Sequence, residues 1–538
     1  MTPTRTRWLA GIAACGALAF AALLLPGGDG YAQAPKAPAG ASEPLSALHC
    51  IGCHGGPDTP AYKAYAQEKR TDFVLLTEYP TWHDRDLHAL AFENITPNEK
   101  GGPDGKGNLA WTMQETLKPH RPAGYQVNAA AECLTCHSVD RKPGPVLAGN
   151  VEGRFHTATG VSCEACHGLV TDEWIGRHIQ TSWRDKTPAE KWDVRQVDLR
   201  DPYTRAMKCA SCHVGNKAEG KFVTHEMYAA GHPPLPPFES VTFANDAPRH
   251  YMTHGENKAL ANMDADIAWR NFHFRKNESA ETRALAIGTV ATFEATMQLL
   301  ADEAAATAKT GKLLDFAHFD CYACHHDLKD PSWRQKRGYR GAPGRPTMRP
   351  CSAETLHAVL QHAQSAPGVN TEKVTKSSAD IRKGLIALNK GYDAQPFGQL
   401  DEIAKQASGL VGPCRALKDE LAPLVYDQAQ YEALYRLLAD RIRNSDGKPG
   451  PDGLYIDHDT AQQTVWGLAV LQSTLRPRSG GDNKLETELD QITAFHVRGE
   501  KREPVAGTRL RTRLERIEKF DPAVFLPVAQ AWLKGFEK

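Results

Sequence analysis

The sequence predicts a mainly α protein in two parts: short helices and loops over residues 35–349, then an α-helical domain over 350–538. Three observations lead there. One Cys/His motif recurs five times between Cys50 and His325. The text from His49 to about Arg349 is dense in Gly, Pro, His and aromatic residues, with few long periodic runs. Beyond Arg349 the composition shifts, and residues 352–440 and 459–538 carry helical periodicity.

The motif is Cys-x-x-Cys-His: Cys50, Cys53 and His54; Cys133, Cys136 and His137; Cys163, Cys166 and His167; Cys209, Cys212 and His213; Cys321, Cys324 and His325. This is the attachment signature of c-type haem. Each thiol can form a thioether with a haem vinyl group, and the adjacent His reaches the iron from the proximal side. A zinc ribbon pairs two Cys-x-x-Cys knuckles and needs no His directly after each. A redox dithiol would explain one motif, not five. Disulfides leave the following His unexplained. Five covalent c-type haems are therefore expected, in a multihaem cytochrome c fold of short helices and loops around stacked haems. Haem then replaces much of the apolar core. Ten of the thirteen cysteines are used, leaving Cys15, Cys351 and Cys414.

The amino terminus reads as a secretory signal peptide over residues 1–34. Arg5 and Arg7 precede an apolar run from Trp8 to Leu25, Pro26-Gly27-Gly28 breaks it, and Ala32-Gln33-Ala34 offers a cleavage site. Export to the periplasm, or otherwise out of the cytoplasm, is expected, with cleavage after Ala34. No adjacent Arg pair points to the twin-arginine route. Two alternatives stay open: the run is nearly long enough to remain as a membrane anchor, and Ile12-Ala13-Ala14-Cys15 resembles a lipidation site.

Lys plus Arg and Asp plus Glu both number 64, so nothing suggests nucleic acid. Five haems would add roughly −10 through their propionates. A basic segment follows the last motif: Arg334, Lys336, Arg337, Arg340, Arg345 and Arg349, among Gly and Pro. It reads first as a solvated linker, with cover for haem propionates or contact with an acidic partner as the other readings.

Along the chain, residues 35–49 form a Pro/Ala/Ser-rich lead-in. One long helix is expected near 281–305, with Ala286, Val290, Phe293, Met297 and Leu300 on one face. Tyr431, Leu434, Leu437, Leu438 and Ile442 mark another in the tail, and residues 445–453 a loop. Cys351 and Cys414 are the tail's only cysteines and can form a disulfide in an oxidising compartment. The tail has no Gly-rich phosphate loop. Asp446, Asp452, Asp457 and Asp459 lack EF-hand spacing and read as loop acids.

The second axial position decides what each haem does. Two His close the iron for electron transfer, whereas one open position admits a small molecule. Seventeen His lie outside the motifs, so counting alone cannot choose. The candidates are His88, on a stretch from Trp82 to Phe92 that reads as a helix; His178, after the third motif; His225 and His232, seven apart and so on one helical face; and His326, beside a proximal ligand and able to serve a neighbouring iron.

At these residues the chain resembles the multihaem cytochromes related to hydroxylamine oxidoreductase and the tetrahaem cytochrome that takes its electrons. In that tetrahaem family a Trp-x(n)-His-x-x-Ala-x-x-x-Leu helix follows the first motif, matched here by Trp82, His88 and Ala91 with Ile95 in place of Leu. Gly-Val-x-Cys-Glu-x-Cys-His-Gly marks the third, matched by Gly160 to Gly168, and His178 stands where a distal ligand follows. The resemblance covers about residues 49–240. It implies His88 and His178 as distal ligands, a mainly helical fold around closely stacked haem pairs, and a five-coordinate haem at the second motif (Cys133, Cys136, His137). The fifth motif, the Ala-Gly-His-Pro-Pro-Leu stretch and the haem-free tail depart from the pattern. No Cys-x-x-Cys-Lys is present, which argues against the pentahaem nitrite reductases.

The favoured expectation is an exported electron carrier working through closely spaced, mostly bis-His haems with redox protein partners. The alternatives are a haem enzyme acting on a small nitrogen or sulfur compound at one open haem, and a subunit of a larger complex or filament docked through its tail. A membrane partner is expected only if the leader is retained.

Overall fold

The computed structural model describes residues 47, 50–65, 73–102, 105–139, 159–168, 170–336, 344–349, 353–445, 457–475 and 519–534. The leader, Cys15, Cys351 and with it the expected disulfide, Arg337, Arg340, Asp446 and Asp452 lie outside them. The described residues are helical, with no β-strand among them and three isolated bridges.

The motifs sit at helix ends. Four close the helices Ile51–His54, Ala131–His137, Cys163–His167 and Pro202–His213 (α1). The fifth is a tight turn, Cys321–Ala323, in which His325 N still donates to Cys321 O at 2.8 Å. The helical turn is therefore the motif itself. The spacing explains this: one turn brings positions i, i+3 and i+4 to a single face, so both thiols and the imidazole address one ring.

The stretch from Trp82 to Phe92 breaks in two. Helix Glu78–Arg85 ends at Asp86, whose carboxylate accepts from His88 N at 3.0 Å and starts a 3-10 turn over Leu87–Leu90. Trp82 Nε1 donates to Val161 O at 3.1 Å, tying this stretch to the third motif. Gly160 has φ +66°, and an added Cβ would lie 2.6 Å from His88 O. The Gly-Val pair is thus a close crossing of two backbones that a side chain would block.

His225 and His232 do not share a helix face. Helix His225–Ala229 (α2) lasts little more than a turn. Gly231 turns left-handed at φ +117°, and His232 N donates to Met227 O at 2.9 Å. That is a glycine C-cap, and it swings His232 away from His225.

The long helix spans Ala280–Ala308 (α3), and 20 of its 29 residues are buried, Phe293 and Met297 completely. Its length and apolarity would suit a membrane span, yet it is enclosed by the protein. Around it lie α4 (Ala353–Ser365), α5 (Thr371–Asp393), α6 (Leu400–Leu421), α7 (Gln428–Arg443), α8 (His458–Leu475) and α9 (Pro522–Lys534). The stripe from Tyr431 to Ile442 is the inner face of α7. One apolar cluster runs from Tyr203 to Leu533 through all of these helices.

That cluster crosses the boundary expected at 349. The composition shift marks where the haem motifs end, but the core begins earlier, because α1 and α3 pack with the tail. Glu294 of α3 is fully buried and accepts from Tyr203 Oη of α1 (2.9 Å) and Arg415 Nε of α6 (2.7 Å). Removing Arg415 would strand a buried charge, the costly case for such groups, and removing Tyr203 would leave that carboxylate short of a hydrogen bond. The fourth motif therefore hangs on the tail's own core.

Candidate haem centres

Each motif histidine faces a second imidazole. His54 pairs with His178, the ring centres 6.1 Å apart. His137 pairs with His232 at 6.3 Å. His167 pairs with His250 at 6.3 Å. His213 pairs with His88 at 6.1 Å. His325 pairs with His225 at 6.1 Å. The interplanar angles run from 26° to 85°, so ring stacking is not what fixes the separation.

The constant spacing fits a metal between the rings. Two imidazole–metal bonds of about 2 Å and two ring radii of about 1 Å come to roughly 6 Å. Among the described residues no three His, Cys, Asp or Glu side chains converge as a metal site of their own. Two axial imidazoles beside two cysteines suit an iron whose other four positions are filled by a porphyrin.

The rings are held for that role. Nδ1 of His54 bonds Glu78 (2.8 Å), of His88 bonds Asp86 (2.9 Å), and of His137 bonds Ala91 O (2.7 Å). Nδ1 of His232 bonds Pro233 O (2.8 Å) and of His250 bonds Pro248 O (3.2 Å). A partner on Nδ1 fixes the tautomer and leaves Nε2 for the metal. His178 is set differently, by a Trp174 ring stacked 4.2 Å from it.

Burial pushes His167, His178, His213 and His232 down to about 4, so they are neutral and able to ligate at neutral pH. Burial also acts against charge on His54 and His88. There the carboxylates of Glu78 and Asp86 outweigh it and hold both above the ordinary value.

Of the sequence candidates, His88, His178, His225 and His232 each face a motif histidine. His326 does not: it follows His325 along the backbone, and its Nδ1 bonds Asp327 O at 2.8 Å. The histidine facing His167 is His250, in the loop after helix Ser240–Asp246, where no periodicity flags it. His137, whose site the resemblance leaves open, faces His232.

The sites form a series. The thiols of Cys50 and Cys163 are close enough to perturb one another, as are those of Cys136 and Cys212. Cys166 lies near Cys209 and Cys212. The second and fifth sites are joined by α2, which begins at His225 and leads through its C-cap to His232. The resulting order is first, third, fourth, second, fifth. Only Cys53 and Cys324, in the two end sites, are exposed among the motif cysteines.

Glu164 adds to the third site. Its buried Oε1 accepts from Val170 N at 2.7 Å, tying the chain after the motif back to the motif helix. Gly168 has φ +97°, and a Cβ there would lie 2.2 Å from Arg195 O.

The basic segment is not simply solvated where it is described. Arg334 Nη1 donates to Ala323 O inside the fifth motif, and Arg345 Nη1 to Asp393 O. In the tail, Asp457 accepts from Thr460 N and Oγ1, capping α8 instead of closing an open loop.

Neither a curated protein nor a solved structure shows significant similarity to the chain. Residues 77–168 match the family model described as cytochrome c554 and c-prime. That segment holds Trp82, His88, the second motif and the third motif. The match supports a c-type cytochrome with covalently bound haem and a part in electron transfer.

Proposed function

We propose that the chain is an exported pentahaem electron carrier in which five covalent haems are each closed by two histidines. The five imidazole pairs at 6.1–6.3 Å carry this reading. Proximal and distal ligands would be His54 and His178, His137 and His232, His167 and His250, His213 and His88, and His325 and His225. The haem groups, when bound, supply one-electron chemistry.

The residues do the rest. The paired imidazoles would hold each iron from two sides and leave no position for a substrate. His/His ligation favours low potentials compared with His/Met. Glu78, Asp86 and the backbone carbonyls on Nδ1 make their histidines stronger donors. The serial order, with exposed ends at the first and fifth sites, suits entry at one end and exit at the other. The reading of an open, catalytic second haem finds no support in the His137–His232 pair.

Intact-mass measurement of the exported protein tests the count. The mature chain plus five haems is expected, and loss of one haem adduct when both cysteines of any one motif are replaced. A wild-type mass with fewer than five haems would refute the reading.

A further inference from the structure

Residues 344–349 fold back on the fifth motif. Asp320 N donates to Thr347 O (2.9 Å), Arg349 N donates to His318 O (3.0 Å), and Phe319 bridges Met348. These bonds fasten Arg349 just ahead of Cys321. Its side chain crosses to the opposite side of the site, where Nη2 donates to Leu235 O and Nη1 to Tyr228 Oη. Tyr228 lies on α2 between His225 and His232, its ring 6.0 Å from that of His232. The guanidinium thus sits deep between the fifth motif and the helix that faces it, with part of the side chain still open.

This cation differs from three other partly or largely buried arginines. Arg415 has Glu294 at 2.7 Å, Arg441 has Glu354 at 2.5 Å, and Arg283 has Glu278 at 3.6 Å. Arg349 has two neutral acceptors, and among the described residues no carboxylate stands within ion-pair distance of it. Asp459 and Asp320 act on it only at longer range. A guanidinium carries five N–H donors and stays charged at any working pH. An enclosed charge normally has a counter-ion.

We infer that the counter-ion arrives with the cofactor: Arg349 anchors a propionate carboxylate of the haem held by Cys321 and Cys324. The inference rests on the reading that the fifth motif carries haem. Its planar fork suits a carboxylate, where lysine offers only a point charge. The fixed positive charge also favours the reduced state of that haem over the oxidised one, so Arg349 sets the potential of one end of the series upward.

The test is spectropotentiometric titration of full-length holoprotein, wild type against R349Q and R349K, with haem counted in each. In R349Q one of five potentials is expected to move down while four stay, and R349K should restore most of the shift. Infrared difference spectra with ¹³C-labelled propionates give a second readout: one carboxylate band should shift between wild type and R349K. If R349Q fails to mature, R349K with its band carries the test. Five haems in R349Q with five unchanged potentials would overturn the inference alone, as would an unmoved band in R349K. A wild-type chain with no haem on the fifth motif would overturn both the inference and the reading it rests on.

Discussion

Across the first four motifs the buried apolar residues fall mostly into islands of three to five, such as Ala47, Trp82 and Ala89, or Phe92, Ile95 and Leu134. From α3 to α9 they form one continuous cluster, with Phe293, Leu410 and Leu438 at or near zero exposure. The two regions are stabilised differently. The tail pays for its order by burying side chains against each other, at roughly 2–3 kcal/mol for each large one. The islands bury far too little to do the same. In their place stand paired imidazoles, cysteines and a second layer of carboxylates and carbonyls on Nδ1, an interior laid out for a cofactor. Folding of the first region should therefore depend on haem attachment, and folding of the second, which holds one motif beside a continuous apolar core, should depend on it far less.

The largest effect should come from breaking an interior site. Replacing Cys163 and Cys166 together with Ala is expected to remove the third haem and open residues 50–200 to protease, while a fragment holding α3 to α9 resists. Limited proteolysis with mass mapping reads this. Equal loss of both regions would erase the contrast. In the other direction, Phe293→Ala should cost about 3–5 kcal/mol in urea unfolding followed by far-ultraviolet dichroism. Its haem count and low-spin spectrum in native buffer should be unchanged.

A smaller effect concerns pH. Burial, then Asp459, pushes the Asp457 carboxyl up to about 7, well above its unfolded value. The native state then binds a proton that the unfolded state releases, so this group costs no stability below about pH 4 and a growing amount from there to about 7. Asp457→Asn keeps the cap on α8 and should be more stable than wild type by on the order of 1–4 kcal/mol at pH 8, with the gap closing toward pH 4. Thermal melting across that range measures it. A gap that does not change with pH would show that Asp457 does not titrate there. The smallest effect should belong to His326→Ala, which ought to leave every haem low-spin, whereas His250→Ala should expose one iron and give a high-spin signal.

How far the sequence could be read follows the same division. Helix α3 and the inner face of α7 announce themselves by periodicity, because apolar packing writes a repeat into the chain. Cysteine spacing names the proximal histidines, because attachment chemistry demands that spacing. Distal histidines obey no such rule: they come from anywhere the backbone can bring a ring to the sixth position. His250 sits in a loop with nothing beside it to mark it, while His326 gains attention only by adjacency to His325. The seven-residue interval between His225 and His232 suggested a shared helix face, and Gly231 decides otherwise by reversing the backbone after one turn. The boundary near residue 349 reflects where cysteines stop, and composition cannot reveal that Tyr203 and Glu294 already belong to the tail's core.

Electron paramagnetic resonance of the oxidised, purified protein, with haem quantified alongside, tests the five closed sites most directly. Only low-spin signals at five haems per chain are expected. A high-spin signal near one haem per chain, or fewer than five haems, would contradict them.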